Sequence, residues 1–226
     1  MRSGRVFIAV VGASMLGLRA ANAQSATVPV EREPAHQTVF QNRYLQAFRV
    51  RLAPGEMTLM HTHTRDDAAV RLGAATTTNQ NLGEPEGPAA TVVPGTVSAR
   101  NNERTPVTHR VNNVGTTPFD VMDVQALERP AGPEGPPAVA PAAENPRMRV
   151  YRFELEPGGR SAGHTHTRPY FRVAATAMDL ETAPPGGPAG RDRLEVGAFR
   201  WVEGRVVHTL INVGKQPGIL IEFELR

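Results

Sequence analysis

A pentapeptide that occurs twice constrains the fold of this chain most. His-Thr-His-Thr-Arg stands at residues 61–65 and again at residues 164–168, 103 positions later. A third histidine follows each copy, His109 and His208, and each of these opens the same phrase, His-x-x-x-Asn-Val-Gly-x-x-Pro. Six of the seven histidines therefore belong to two matching sets of three. This duplication predicts two similar folding units.

Alternating apolar and charged side chains predict β-strands before each copy of the pentapeptide. Residues 48–55 and 151–158 alternate in this way and end at Pro-Gly, as a half-buried strand does where it enters a turn. Further strands are expected to close the two units, at residues 119–124 and 219–225. No long stretch after the first 23 residues has the 3.6-residue period of a helix. The predicted fold class is all-β.

Shifts in composition mark the expected boundaries. Residues 129–146 contain six prolines among glycine and alanine, a composition typical of an extended linker. Two repeats of this size match tandem domains better than a solenoid. The predicted organisation is a signal peptide (1–23), an N-terminal extension (24–42), a first domain (43–128), the linker (129–146) and a second domain (147–226).

The first 23 residues resemble a secretory signal. Arg2 and Arg5 precede an apolar run over residues 6–18, and small residues then lead to an expected cleavage after Ala23. The run has about 13 residues, fewer than the roughly 20 that a membrane span needs. We therefore expect a periplasmic or secreted protein without a stable membrane anchor after cleavage. An uncleaved anchor is the alternative.

Charge and cysteine content narrow the classes of function. Removal of the signal takes away three arginines and no acid, which leaves 22 basic and 22 acidic residues. The basic residues are scattered, so nucleic-acid binding is not expected. The chain has no cysteine, which excludes disulfides, thiolate ligands and a cysteine nucleophile. The partners expected are a small-molecule ligand or substrate and further copies of the chain in a homo-oligomer.

The histidines favour metal binding. Residues i and i+2 of a strand point to one face, and imidazole is the commonest protein ligand of transition metals. The predicted ligands are His61, His63 and His109 in the first unit and His164, His166 and His208 in the second. Three nitrogen ligands leave coordination positions open and are compatible with Fe, Mn, Zn, Ni or Cu as the divalent metal. The alternative is that the imidazoles only form hydrogen bonds inside a barrel without metal.

These motifs resemble those of the cupin superfamily, and their duplication resembles a two-domain bicupin. A glycine stands six residues before each His-x-His pair, as in the first cupin motif, and the His-x-x-x-Asn of the second motif follows in both units. The resemblance covers residues 43–127 and 147–226. It implies two tandem cupin (jelly-roll) β-barrels, each with three inward-facing histidines that hold a metal.

The resemblance is incomplete at one ligand, because the glutamate of the first cupin motif is missing from both units. Asp66 or Asp67 can supply a carboxylate in the first unit, and Asp67 is counted among the predicted ligands. Tyr170 stands in the same window of the second unit, which is therefore expected to be a pure three-histidine site. Cupins without this glutamate resemble thiol- and diketone-cleaving dioxygenases, and those with a carboxylate resemble oxalate- and quercetin-type enzymes.

Arginines near the pentapeptides are candidates for a substrate site. Arg71 and Arg172 follow the histidines in both units and can bind a substrate carboxylate, as can Arg65 and Arg168. Tyr170 can form a wall of the second site. The alternative for each arginine is the outer face of a strand.

Three further residues are given other roles. His36 lies outside both repeats and is interpreted as a solvated bystander, and Asn113 and Asn212 as turn formers. Two functions remain open. The first is an exported metal-dependent enzyme on a small organic molecule, of the dioxygenase type or a decarboxylase or isomerase. The second is a non-catalytic bicupin that binds a small ligand or a metal, or serves as a scaffold.

Overall fold

A computed structural model describes residues 27–226, and the predicted signal peptide lies outside this range. Within it the chain forms strands and loops apart from one turn of 3₁₀ helix, Val30–Arg32. The predicted all-β fold is confirmed. No helix within residues 27–226 has the length and apolar character needed to cross a bilayer.

Ten strands form the first barrel, called barrel 1 below. They are β1 (Val28–Pro29), β2 (His36–Gln41), β3 (Leu45–Leu52), β4 (His61–His63), β5 (Asp67–Arg71), β6 (Ala75–Asn81), β7 (Ala90–Val92), β8 (Val97–Arg100), β9 (Val107–Asn113) and β10 (Phe119–Ala126). They make two sheets, in the orders β1-β4-β9-β6-β7 and β2-β3-β10-β5-β8. The two strands that carry the histidines, β4 and β9, are neighbours in the first sheet.

Nine strands form the second barrel, called barrel 2. They are β11 (Ala143–Glu144), β12 (Met148–Leu155), β13 (His164–His166), β14 (Tyr170–Ala174), β15 (Met178–Ala183), β16 (Gly190–Leu194), β17 (Phe199–Val202), β18 (Val206–Asn212) and β19 (Gly218–Leu225). Their sheets have the orders β11-β12-β19-β14-β17 and β13-β18-β15-β16. The histidine strands β13 and β18 are neighbours here too, so the duplication extends to topology.

Segments predicted to lie outside the barrels contribute strands to them. The predicted N-terminal extension, residues 24–42, supplies β1, which pairs with β4, and β2, which pairs with β3. The predicted linker, residues 129–146, supplies β11, which pairs with β12. The sequence does not predict these edge strands because they lack a clear apolar alternation. Main-chain hydrogen bonds to one neighbouring strand are enough to form them.

The two barrels share a hydrophobic core. On β10, Phe119 and Val121 point into barrel 1, whereas Met122 and Val124 point out of it, toward barrel 2. The cluster between the barrels combines aliphatic residues of β3, β5 and β10 with Phe171, Phe223 and other residues of β12, β14 and β19. The central strands are therefore buried on both faces, which explains why β14 and β19 lack a polar outer side.

The two asparagines of the repeated phrase hold equivalent turns. The Asn113 amide donates to the carbonyl oxygens of Leu52 and Thr117, and its Oδ1 accepts from the backbone N–H of Gly115. Asn212 makes the corresponding bonds in barrel 2. Their interpretation as turn formers agrees with these bonds.

Candidate metal centres in the two barrels

Barrel 1 brings its three predicted histidines together. His61 on β4 pairs directly with His109 on β9, and His63 lies on the same face of β4 two residues later. The ring centroids are 4.7 Å apart for His61 and His109, 5.0 Å for His61 and His63, and 5.3 Å for His63 and His109. All three side chains are buried.

In His61 and His109 a hydrogen bond at Nδ1 leaves the other ring nitrogen, Nε2, free. His61 Nδ1 lies 2.9 Å from the Leu59 carbonyl oxygen, and His109 Nδ1 lies 2.6 Å from Asn79 Oδ1. Because both partners are acceptors, the proton sits on Nδ1 and the lone pair on Nε2. The Nε2 atoms of His61 and His109 are buried without a hydrogen-bond partner among the described residues. A metal fits these two orphaned nitrogens.

The pKa values agree with neutral imidazoles at these two positions. Burial and the neighbouring His36 lower the pKa of His61 to about 4. Burial and the neighbouring His61 lower the pKa of His109 to about 2. For His63, burial lowers the pKa, but the hydrogen bond to Asp67 and the charges of Asp123 and Asp67 together outweigh burial, and the net pKa is raised. His61 and His109 are therefore neutral near pH 7, the form that binds a metal.

A fourth imidazole lies in the same place, and the interpretation of His36 as a solvated bystander is wrong. His36 begins β2, its ring centroid is 4.6 Å from that of His61, and its side chain is only 5% exposed. One ligand nitrogen from each of His36, His61 and His63 fits within a 4.8 Å spread. Sequence reasoning failed here because β2 lies outside the repeat.

The carboxylates next to the repeat motif take different positions. Asp67 Oδ2 lies 2.8 Å from His63 Nδ1 and accepts a hydrogen bond from Asn102 at 2.8 Å. Asp67 therefore holds His63 through Nδ1 and orients its ring, which leaves Nε2 of His63 for a metal. Asp67 also forms a second close group with His63 and Asp123. Asp66 accepts from the backbone N–H of Glu103 and does not line the cavity described next.

The imidazoles of barrel 1 face a cavity of about 150 Å³. Arg71 lines it, with its guanidinium 5.4 Å from the ring centre of Phe119 and with Nε lacking a hydrogen-bond partner. Asp123 also lines it, and one of its oxygens is buried without a partner. Burial and the nearby Asp67 raise the pKa of Asp123 to about 6. Among the described residues, Arg71 Nε and one oxygen of Asp123 thus have no hydrogen-bond partner in this cavity. The other oxygen of Asp123 lies 3.9 Å from His63 Nδ1.

Barrel 2 brings its three histidines together around a carboxylate that sequence reasoning missed. Glu222 on β19 lies 2.8 Å from His166 Nε2, 3.3 Å from His164 Nε2 and 3.5 Å from His208 Nε2. Ligands about 2.1 Å from one ion stand roughly 3.0–3.4 Å apart, so this set of four fits a metal. The expectation of a pure three-histidine site in the second unit is not met by this geometry.

The interior of barrel 2 is filled. Tyr170 stacks on His166 with ring centroids 4.1 Å apart, and Phe153 stacks on His164 at 4.8 Å. Arg172 donates to Glu222 Oε1 from Nε at 2.9 Å. Arg172 is thus committed to Glu222 rather than free for a substrate, and Tyr170 packs against His166.

Arg65 and Arg168, the last residues of the two pentapeptides, lie outside both centres. Arg65 is exposed. Arg168 is buried and donates to the carbonyl oxygens of Pro130 and Gly132, which ties down the segment between the barrels. Arg71 and Arg172 are not equivalent either, because Arg172 pairs with Glu222 and Arg71 with Val121.

The carboxylates of barrel 2 favour protonated histidine in the absence of a metal. Burial lowers the pKa of His166, but hydrogen bonds to Glu222 and Glu224 outweigh burial and raise it to about 9. Burial raises the pKa of Glu222, yet the three histidines hold it well below its usual range. A metal at this centre must therefore displace a proton from His166.

Glu222 and Asp123 are equivalent residues, and a sequence signal for them exists. Each stands ten positions after the asparagine of its repeated phrase, at Asn212 and Asn113. Each also lies on the inward face of its strand, in register with apolar residues. An acid on the apolar face of a predicted strand is the signal that points to an interior polar site.

Comparisons with known proteins identify the fold. No family model matches the sequence, and no curated protein matches it. Among solved structures, AerE from Microcystis aeruginosa has a TM-score of 0.55 at 11% identity, covering 86% of this chain and 98% of its own. YhaK from Escherichia coli has a TM-score of 0.57 at 13% identity, covering 84% and 88%.

The S161A mutant of Bacillus subtilis oxalate decarboxylase has a TM-score of 0.52 at 14% identity, covering 81% of this chain and 69% of its own. Another matched structure of that enzyme concerns its Mn(II) centres. These likenesses are to proteins of the cupin type, and at such identities they establish the fold alone.

Proposed function

We propose that this protein, a bicupin by fold, is a metal-dependent enzyme that acts on a small organic acid in the cavity of barrel 1. The reaction is of the dioxygenase type, with decarboxylation or isomerisation as the alternatives within the same site. Barrel 2 holds a metal in a closed, structural site. The buried histidine clusters and the cupin fold support metal binding in general.

The contrast between an open and a closed centre carries this proposal. Catalytic metal sites keep a coordination position open, whereas structural sites are closed by protein ligands. In barrel 1, imidazole nitrogens face a cavity of about 150 Å³, large enough for a few heavy atoms beside a metal. In barrel 2, Glu222 already stands among the three histidines and aromatic rings cover them.

The chain's own residues define how a substrate sits. His61, His63 and His109 would hold the metal, which supplies Lewis acidity and, if redox-active, electron transfer. Arg71 offers an unpaired guanidinium to a carboxylate, because a charge-assisted bond there would satisfy its buried Nε. Val50 and Val121 form part of the apolar wall of the cavity.

The non-catalytic alternative applies best to barrel 2. Its arginine and its carboxylate neutralise each other and its interior is packed, so nothing there is free to receive a substrate. If barrel 1 binds small acids without turning them over, the whole protein is a binding or scaffold bicupin.

The proposal is tested by turnover with a matched pair of arginine variants. Protein loaded in turn with Fe, Mn, Zn, Ni and Cu is offered small mono- and dicarboxylic acids, and oxygen uptake, carbon dioxide release and isomerised product are measured. With an accepted acid, Arg71→Gln should raise KM by about 10- to 100-fold, the value of a lost charge-assisted bond. Arg65→Gln, at the exposed arginine that ends the pentapeptide six residues before Arg71, should leave KM unchanged. Binding of acids without turnover for any metal would contradict the enzymatic proposal.

We also propose that the protein is exported. The basic start, apolar run and small-residue exit of residues 1–23 support this. Fractionation of cells that express the full chain, with mass analysis of its N-terminus, tests it. A mature N-terminus at Gln24 in the periplasm or medium is expected, and an intact cytoplasmic chain would contradict export.

A further inference from the structure

Barrel 1 contains an imidazole that neither the repeat nor the cupin motifs explain. His36 stands opposite Val50 in the pairing of β2 with β3 and lines the same cavity as His61 and His63. Its side chain is almost fully buried, although the residues that follow it on β2 are mostly exposed. A buried imidazole needs a partner for each nitrogen, and Glu33 supplies one for Nδ1 of His36.

The separations between the rings match those of imidazoles on one ion. With a metal–nitrogen distance of about 2.0–2.1 Å, each ring centre lies roughly 3.2 Å from the metal, so rings on one ion stand about 4.5–6.4 Å apart. His36 is 4.6 Å from His61 and 6.0 Å from His63, centroid to centroid. Both values fall within this interval, like those among the three motif histidines. The closest group of ligand atoms joins His36 to His61 and His63 and does not include His109, so His109 has to approach for all four rings to share one ion.

A buried glutamate sets the tautomer of His36. Glu33 Oε2 lies 2.6 Å from His36 Nδ1 and also accepts from the backbone N–H groups of Ala35 and His36. Its other oxygen accepts from Leu59 N–H, and the Leu59 carbonyl accepts from His61 Nδ1. With the Nδ1 proton committed to Glu33, Nε2 of His36 carries the lone pair. One carboxylate thus orients two imidazoles.

Apolar side chains fill the equivalent space in barrel 2. Phe153 stands where barrel 1 has Val50, at the repeat offset of 103 residues, and its ring stacks on His164. Val139, at the offset of His36, packs against the apolar core of barrel 2. The smaller Val50 leaves room for an imidazole from β2, whereas the larger Phe153 removes that room.

We propose that His36 is a fourth imidazole ligand of the metal in barrel 1. The proposal deepens the proposed function, since it rests on metal binding in that barrel, and it makes the two centres chemically different. Barrel 1 offers four imidazole nitrogens beside a cavity, so a metal of five or six coordination there would still have a position open toward the cavity. Barrel 2 offers three nitrogens and the carboxylate of Glu222, and its packed interior leaves no such position. Because imidazole suits Zn, Cu, Fe and Ni and carboxylate suits Mn, barrel 1 discriminates against Mn more strongly than barrel 2.

Counting imidazoles tests the proposal directly. The full chain with His208→Gln, which weakens the centre of barrel 2, is loaded with one equivalent of Cu(II), and pulsed EPR counts the imidazoles through their remote nitrogens. Four are expected in this parent protein. Three are expected after adding His36→Gln or, as a comparison, His109→Gln. Gln37→Ala, an exposed neighbour on β2, should leave four.

Zinc affinity, measured by chelator competition in the same proteins, gives a second readout. His36→Gln should weaken zinc binding in barrel 1 by at least about 100-fold. Glu33→Gln, which disturbs only the orientation of the His36 ring, should weaken it by about 10-fold. Gln37→Ala should not change it.

The outcomes separate the two proposals. Three imidazoles in the parent, or an unchanged count and affinity in His36→Gln while His109→Gln loses both, would overturn the role of His36 and leave the proposed function standing. No copper in barrel 1 of the parent would overturn both. The number of imidazoles in the His208→Gln parent is measured with His36 in place. The proposal can therefore be tested even if the His36→Gln variant does not fold.

Discussion

Barrels 1 and 2 carry the same three histidines on equivalent strands, yet they use the space around them differently. In barrel 1, Val50 leaves a cavity into which His36 and Arg71 project. In barrel 2, Phe153 closes that space, and Glu222 and Arg172 form an ion pair among the histidines. A duplicated motif therefore preserves a ligand set while the residues around it decide between an open and a closed centre.

The largest expected effect concerns whether the two centres are independent. Wild-type protein should bind two equivalents of metal, measured by elemental analysis after desalting. His61→Gln should remove one equivalent and His208→Gln the other, because each change deletes a ligand from a separate set. Thermal unfolding of each variant checks that the fold survives. A wild-type protein that binds only one equivalent, and loses it in either variant, would mean one shared site and would end the comparison.

The next effect isolates the ion network of barrel 2. In metal-free protein, Glu222→Gln should lower the free energy of unfolding by about 3–5 kcal/mol, because it leaves Arg172 and His166 buried without their counter-ion. The equivalent change in barrel 1, Asp123→Asn, should cost less than about 1 kcal/mol, because one oxygen of Asp123 has no partner to lose. Urea unfolding measures both values. Equal costs would contradict the distinction between the two interiors.

Exchanging the side chains at one equivalent position should sharpen the contrast. Phe153→Val should open a cavity beside His164 and cost about 2–3 kcal/mol of stability. Val50→Phe should overpack barrel 1 at about 1–3 kcal/mol and weaken its zinc binding, since the new ring occupies the space of His36. Urea unfolding and chelator competition report on these. If Val50→Phe leaves zinc affinity intact, His36 and the cavity wall are unrelated to the metal.

The smallest effect is an opposite pH dependence of the two barrels in metal-free protein. The pKa of His166 is raised to about 9, so its stabilisation is complete below about pH 6.5 and is lost as the pH rises through 9. The pKa of His61 is lowered to about 4, so its unfolded form gains a proton first and stability falls as the pH drops from about 6.5 to 4. At about 1.4 kcal/mol for each pH unit between the unfolded and folded pKa, the stability change at each end of the pH range should amount to about 3 kcal/mol at most.

Single variants show which histidine causes the loss of stability at high pH and which causes it at low pH. His166→Gln should flatten only the alkaline limb of a plot of unfolding free energy against pH, and His61→Gln only the acidic limb. A change in the opposite limb would show that the protonation states of the two centres are coupled through the shared core.

Sequence reasoning was strongest where chemistry and spacing are local. Histidines two residues apart on a strand share a face whatever surrounds them, so the triads, the strands that carry them and the all-β duplicated fold were predictable. The turn role of Asn113 and Asn212 was predictable for the same reason, since the bonds within each turn reach only a few residues along the chain. The bicupin resemblance follows from these same local patterns.

The other site residues depend on contacts between distant strands. Glu222 meets His164 from 58 positions away, and His36 reaches His61 from a strand outside the repeat. Arg71 and Arg172 look equivalent along the chain, but strand register gives one a cavity and the other a counter-ion. The sequence by itself determined two barrels and their histidine triads, because strand period and motif spacing are properties of short segments. Only the tertiary structure decided which centre is open, because register and side-chain volume across neighbouring strands determine what fills the space beside each triad.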